Sequence, residues 1–139
     1  MIEDYFLQLE TLIRTAGIVQ TSRITYDKRS TYIGYVRGEI YFLDASCLHL
    51  REYVNTERGS ERYVLAYHYQ RPDGSLIFRY DNTRHYRGLP TFPHHKHLAD
   101  DVNVISSPSP DLQVVLDEIR QIVVMALDDT ATNELNPKP

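Results

Sequence analysis

The order helix, antiparallel β-meander, helix predicts an α+β fold in which helices cover one face of a single sheet. Three observations carry that prediction. An amphipathic stripe runs over residues 2–16, the middle of the chain is a run of β-branched and aromatic segments broken by turn signals, and a second stripe opens after Ser109-Pro110-Asp111.

The first helix rests on Ile2, Tyr5, Phe6, Leu9, Leu12, Ile13 and Ala16, which recur at three- and four-residue spacing, with Gly17 where a helix usually ends. About five strands follow. Gly17–Tyr26 lacks a helical period, Asp27-Lys28-Arg29-Ser30 is a turn, and Thr31–Leu43 and Cys47–Val54 are the next two strand regions. Arg62–Gln70 and Ser75–Asp81 flank Pro72-Asp73-Gly74, where proline pre-sets φ and glycine takes the positive φ that closes a hairpin. A three-residue loop pairs Arg71 with Ser75. Continued without interruption, that register sets Tyr67 opposite Arg79 and Leu65 opposite Asp81, so that Tyr67, Arg79 and Asp81 share a face. A slip of one residue would dissolve the grouping. Residues 82–107 read as a long loop with one short strand at Val102–Ile105. The closing helix takes Ser109 as N-cap, with Leu112, Val115, Leu116, Ile119, Ile122 and Val123 as its stripe. Residues 1–129 make one domain, and 130–139 a flexible polar tail.

At 139 residues the chain is long enough to bury a core. No apolar run approaches the roughly 18–20 residues that span a bilayer, and the acidic start lacks a signal pattern, so a cytoplasmic protein with no membrane partner is the default expectation. A single cysteine, Cys47, excludes an internal disulfide. The net charge of −4 speaks against nucleic acid as a partner, but its distribution does not. Between Arg62 and Lys96 six basic residues face two acidic ones, a local +4 that leaves −8 for the remainder.

Five of the six histidines fall between residues 68 and 97, three of them in Pro93-His94-His95-Lys96-His97. Histidine serves as acid, base or metal ligand near neutral pH. Two chemistries compete. In a metal-free reading RNA is cleaved by a base for the 2′-hydroxyl, an acid for the leaving oxygen and cations for the phosphate. His95, His97, His85 and Tyr67 are then the catalytic candidates. Arg79, Lys96, Arg84 and Arg87 bind phosphate, and Asp81 and Asn82 orient the site. In the alternative, His94, His95 and His97 bind a metal; the segment carries no carboxylate of its own, so no cofactor is the preferred expectation. The bland readings stand beside these: Asp81 and Asn82 are good turn residues, Phe92 packs, and His49 and His68 serve packing or the surface. A non-catalytic module that sequesters a partner through its helix stripes is the third reading.

The blocks Tyr67-His68-Tyr69-Gln70-Arg71-Pro72-Asp73-Gly74-Ser75-Leu76-Ile77-Phe78-Arg79-Tyr80-Asp81-Asn82 and Leu89-Pro90-Thr91-Phe92-Pro93-His94-His95-Lys96-His97 occur in that order and resemble the signature of the TumE-type toxin family. The match is strong over residues 60–100, and the helix–strands–helix layout extends it over most of the chain. At the place where many members carry a histidine pair after Asp-Asn, this chain has His85-Tyr86. The resemblance implies the toxin half of a type II toxin–antitoxin pair, with a small helix-turn-helix antitoxin as partner. It also implies RNA as the expected target, and leaves a homo-oligomer open.

Overall fold

The computed structural model describes residues 1–84, 87–99, 103–107 and 109–135. His85, Tyr86, Asp100, Asp101, Val102 and Pro108 lie outside the described residues.

The apolar stripe at the N-terminus forms α1 (Ile2–Thr15), which buries Ile2, Leu9 and Ile13. Strands β1 (Val19–Lys28), β2 (Ile33–Phe42), β3 (Cys47–Asn55), β4 (Glu61–Gln70), β5 (Leu76–Asp81), β6 (His95–Leu98) and β7 (Val104–Ser106) follow, and α2 (Leu112–Leu135) closes the chain. All seven strands pair antiparallel in sequence order. The architecture is the expected α+β meander, with seven strands among the described residues rather than about five. The addition is mainly β6, four residues of His-Lys-His-Leu that carry no apolar alternation, so no periodicity marked them as a strand. The helix α2 continues into the stretch expected as a tail.

Side-chain alternation divides the sheet into two faces. Val36, Ile40, Leu48, Leu50, Leu65, Tyr67, Tyr69, Phe78 and Tyr80 form one core with Leu9 and Ile13 of α1 and Leu112, Val115, Leu116, Ile119 and Val123 of α2. Each fully buried aliphatic side chain there contributes about 1.5–3 kcal/mol. Gly34 lets α1 approach, since a Cβ there would lie 2.5 Å from the Phe6 ring.

A polar link runs through this core. Tyr5 donates to Glu52, Arg62 donates to Tyr67 Oη and to the Pro110 carbonyl, and Arg62 also reaches Ser109 Oγ. The start of α2 therefore differs from expectation. Asp111 is the cap, accepting the Val114 N–H at 2.9 Å, while Ser109 is taken by Arg62.

The hairpin holds the decisive correction. The Arg71 N–H donates to Ser75 O at 2.9 Å, as the turn chemistry requires. The register then shifts: Gln70 pairs with Leu76 and Tyr69 with Phe78, leaving Ile77 as the extra residue of a bulge. Tyr67 consequently lies opposite Tyr80, and Ala66 opposite Asp81. Tyr67 joins the core, and Arg79 and Asp81 turn to the other face.

Candidate functional site

The sheet face away from the helices gathers what the bulge re-aimed. On β5 and β6, Arg79 lies opposite His97 and Asp81 opposite His95. The intervening pair, Tyr80 with Lys96, points to the helices. Three consecutive residues, His95, Lys96 and His97, are thus split between faces by pleat alone.

Asp81 is the centre. It is 4% exposed, with His95 Nε2 at 2.7 Å from Oδ1 and His97 Nε2 at 3.5 Å from Oδ2. Arg79 Nε donates to Oδ2 at 3.0 Å, and the Thr83 hydroxyl and N–H donate to Oδ1 at 2.8 and 3.1 Å. Burial pushes this carboxyl up. The Thr83 and Arg79 hydrogen bonds and the charge of His95 outweigh it and hold the carboxyl below its ordinary range. The imidazoles of His95 and His97 meet edge-on, 5.0 Å between centroids.

His95 has an informative pair of neighbours. Its Nδ1 lies 3.0 Å from the Pro93 carbonyl, which only accepts, so Nδ1 carries a proton. Its Nε2 faces the ionised Asp81, which also only accepts. The position suits an imidazolium, or, once the 2.7 Å contact opens, an imidazole that would help to hold a cation. The second option has a ligand set: one atom each from Asp81, His95 and His97 lies within 4.8 Å of the others. An Nδ1–H held by a backbone carbonyl is the usual outer support of a metal-bound histidine.

Asn82 orients the end of β5. Its Oδ1 accepts the Leu65 N–H at 3.0 Å and its Nδ2 donates to Tyr63 O at 3.1 Å, extending the β4 ladder one residue beyond Asp81.

The other candidates disperse. Tyr67 is fully buried on the helix side, its hydroxyl pushed up by burial and by Glu52. Lys96 pairs with Glu118 of α2 at 2.5 Å and lies over the rings of Phe78 and Tyr80. His94 precedes β6; burial and the nearby charges of Arg62 and His95 hold its ring below the usual histidine range. Among the described residues the converging ligands are therefore Asp81, His95 and His97, with Asp81 in the place expected for His94. Arg84 and Arg87 are exposed, Arg87 over the Phe92 ring at 5.9 Å. His85 lies outside the described residues.

Sequence reasoning passed over the neighbours that complete this face. His68 Nδ1 lies 3.4 Å from Arg79 Nη1, and the His68 ring meets His49. A groove of about 590 Å³ opens beside them, lined among others by Arg23, Arg37, Arg51 and Arg79. The signal was present: each of these arginines stands at an outward position of an alternating strand. Counting charge by segment instead of by face hid it.

No curated protein and no solved structure matches the chain. The family model described as Toxin TumE matches residues 9–123, from α1 to the middle of α2, and the chain belongs to the TumE toxin family.

Proposed function

We propose that this toxin acts by cleaving RNA at the Asp81–His95–His97 cluster. The observation that carries the reading is the pair of imidazoles held against one buried, hydrogen-bonded carboxylate, with Arg79 beside them. His97, nearer the groove through its neighbour Arg79, takes the 2′-hydroxyl proton. The 2′-oxygen attacks phosphorus, the bond from phosphorus to the 5′-oxygen breaks, and the proton that His97 took is returned to that oxygen through water, since Pro93 and Asp81 engage both ring nitrogens of His95. A 2′,3′-cyclic phosphate and a 5′-hydroxyl result. Arg79 balances the charge that develops on the phosphoryl oxygens, and Asp81 holds the two imidazoles in place.

The test is cleavage of an RNA oligonucleotide in EDTA by the wild type and by His95→Gln and His97→Gln. Loss in both variants, and resistance of a substrate with a 2′-deoxy residue at the cut, is the expected result. Activity persisting in both variants refutes the assignment.

A second reading is favoured by the convergence of Asp81, His95 and His97: a divalent transition metal bound by two imidazoles and a carboxylate. Protein purified without a histidine tag would then carry stoichiometric metal and lose cleavage in EDTA. The absence of metal, with melting unaffected by zinc or manganese, removes it. Membership of a toxin family supports an antitoxin as the cognate partner. A helix-turn-helix reading frame adjoining this one is the corresponding expectation.

A further inference from the structure

The open face carries two cross-strand rows that lead into the cluster. One passes from Thr25 through Arg37, Arg51 and Ala66 to Asp81 and His95. The other passes from Arg23 through Glu39, His49, His68 and Arg79 to His97. From β1 to β6 the rows span about 24 Å at ordinary strand spacing. Arg23, Arg37 and Arg51 are exposed, and none is in an ion pair among the described residues. Arg37 and Arg51 lie directly opposite each other, an arrangement that costs stability. Paired like charges with no acid between them are what an anionic ligand would repay.

Beside Arg37 and Arg51 runs an aromatic ledge. Tyr35 pairs across the strands with Tyr53, and the Tyr53 ring lies 6.1 Å from that of Tyr63, which stands at the bulge where β3 meets β4 and is more than half exposed. A cationic track flanked by flat rings is the chemistry of single-stranded nucleic acid, since the backbone follows the cations and unpaired bases stack on the rings. A duplex offers no such bases.

We propose that this face is a track for single-stranded RNA, with phosphates on Arg23, Arg37 and Arg51 and bases on Tyr35, Tyr53 and Tyr63, and that it delivers the strand to the Asp81–His95–His97 cluster. The proposal rests on the reading of RNA as substrate, but it concerns binding, which is measured apart from cleavage.

The experiment titrates a fluorescent single-stranded RNA, and the same sequence as a duplex, with the full chain carrying His95→Gln, at several salt concentrations. Single strands bind more tightly than duplex. Adding Arg37→Ala or Arg51→Ala weakens binding about tenfold and reduces the slope of log affinity against log salt by about 0.7 for each lost phosphate contact. Tyr53→Ala weakens binding at unchanged slope. Arg51→Glu, which gives Arg37 a partner, abolishes binding while raising the melting temperature by about 1–4 °C. A double Arg37→Ala, Arg51→Ala variant that binds with unchanged affinity and slope overturns the proposal. So does equal competition by polyglutamate, which would mark the face as a dock for acidic protein. If the arginine variants lose binding but the wild type cuts no RNA, the track stands and the catalytic reading fails. If the wild type cuts and the double variant cuts with unchanged KM, the reverse holds.

Discussion

The two faces of the sheet use the same residue types for opposite ends. On the helix side Lys96 is 14% exposed, bonded to Glu118 and laid across two aromatic rings, so its charge holds α2 to the sheet. On the open side His95 and His97, its immediate neighbours, surround Asp81 next to a groove whose Arg23, Arg37 and Arg51 are in no ion pair among the described residues. A residue's place in a motif says less about its role than the parity of its position on the strand. Two kinds of buried charge are thereby separated, one whose partners come from a helix docking on the sheet and one whose partners come from the sheet and the loop that follows β5.

The division between the two faces is sharpest at two neighbouring residues of β6. His97→Gln is expected to lower RNA cleavage by about 10²–10⁴-fold, the usual worth of a general acid or base. Its melting temperature should stay within a few degrees of the wild type. Lys96→Met, one residue away, is expected to leave cleavage within a few-fold after correction for folded fraction. Equal losses of cleavage in the two variants, at equal folded fraction, would erase the division between faces.

The next effect lies wholly on the helix side. Ile119 is fully buried against the sheet, and Ile119→Ala is expected to cost about 2–5 kcal/mol, read as a lower urea midpoint at unchanged m. RNA affinity per folded molecule should not change. A matching loss of affinity would mean that α2 is coupled to the open face.

The pH dependence separates the faces at opposite ends of the scale. The Asp81 carboxyl is held below its ordinary value, so its contribution is present above the unfolded value of about 3.9 and is lost as pH falls through the lower folded one. For Lys96, burial opposes the charge, but Glu118 and Tyr80 outweigh it and raise the ammonium above its ordinary value. Its contribution is present below about 10.4 and is lost as pH rises through the higher folded value. Asp81→Asn should therefore flatten the acid limb of a stability-versus-pH curve, and Lys96→Met the alkaline limb, each by about 1–3 kcal/mol. Either variant altering the other's limb would contradict the assignment.

Most of the fold was legible because its signals are local. The stripe of α1, the Pro72-Asp73-Gly74 turn and the stripe of α2 each depend on neighbours within a few residues. Two things were not legible, for a common reason. The bulge at Ile77 depends on how β4 and β5 meet, and it reverses the face of every residue from Phe78 to Asp81 relative to the turn. Strand β6 depends on being held between β5 and β7 rather than on its own composition. The site was therefore half visible. His95, His97, Arg79 and Asp81 were named from density and type, but Tyr67 and Lys96 were named beside them, and only register tells the two sets apart. Arg23, Arg37 and Arg51 escaped because they lie far apart in sequence, in a part of the chain that is acidic as a whole.

The smallest expected effect tests that last point. Arg84 and Arg87 belong to the basic segment and were natural candidates for phosphate contact. They follow β5 in the loop, off the two rows that cross the sheet, and are exposed. Arg84→Ala and Arg87→Ala are each expected to change stability by no more than about 0.5 kcal/mol, the usual range for surface positions. If charge acts by face, their effect on RNA affinity stays below about threefold and the salt slope hardly moves, because a loop cation off the track neutralises no phosphate held there. If charge acts by segment, they weaken binding as much as Arg37→Ala and Arg51→Ala do. The ratio of the two pairs of variants therefore measures which description of this protein's electrostatics is right, without reference to whether the bound strand is then cut.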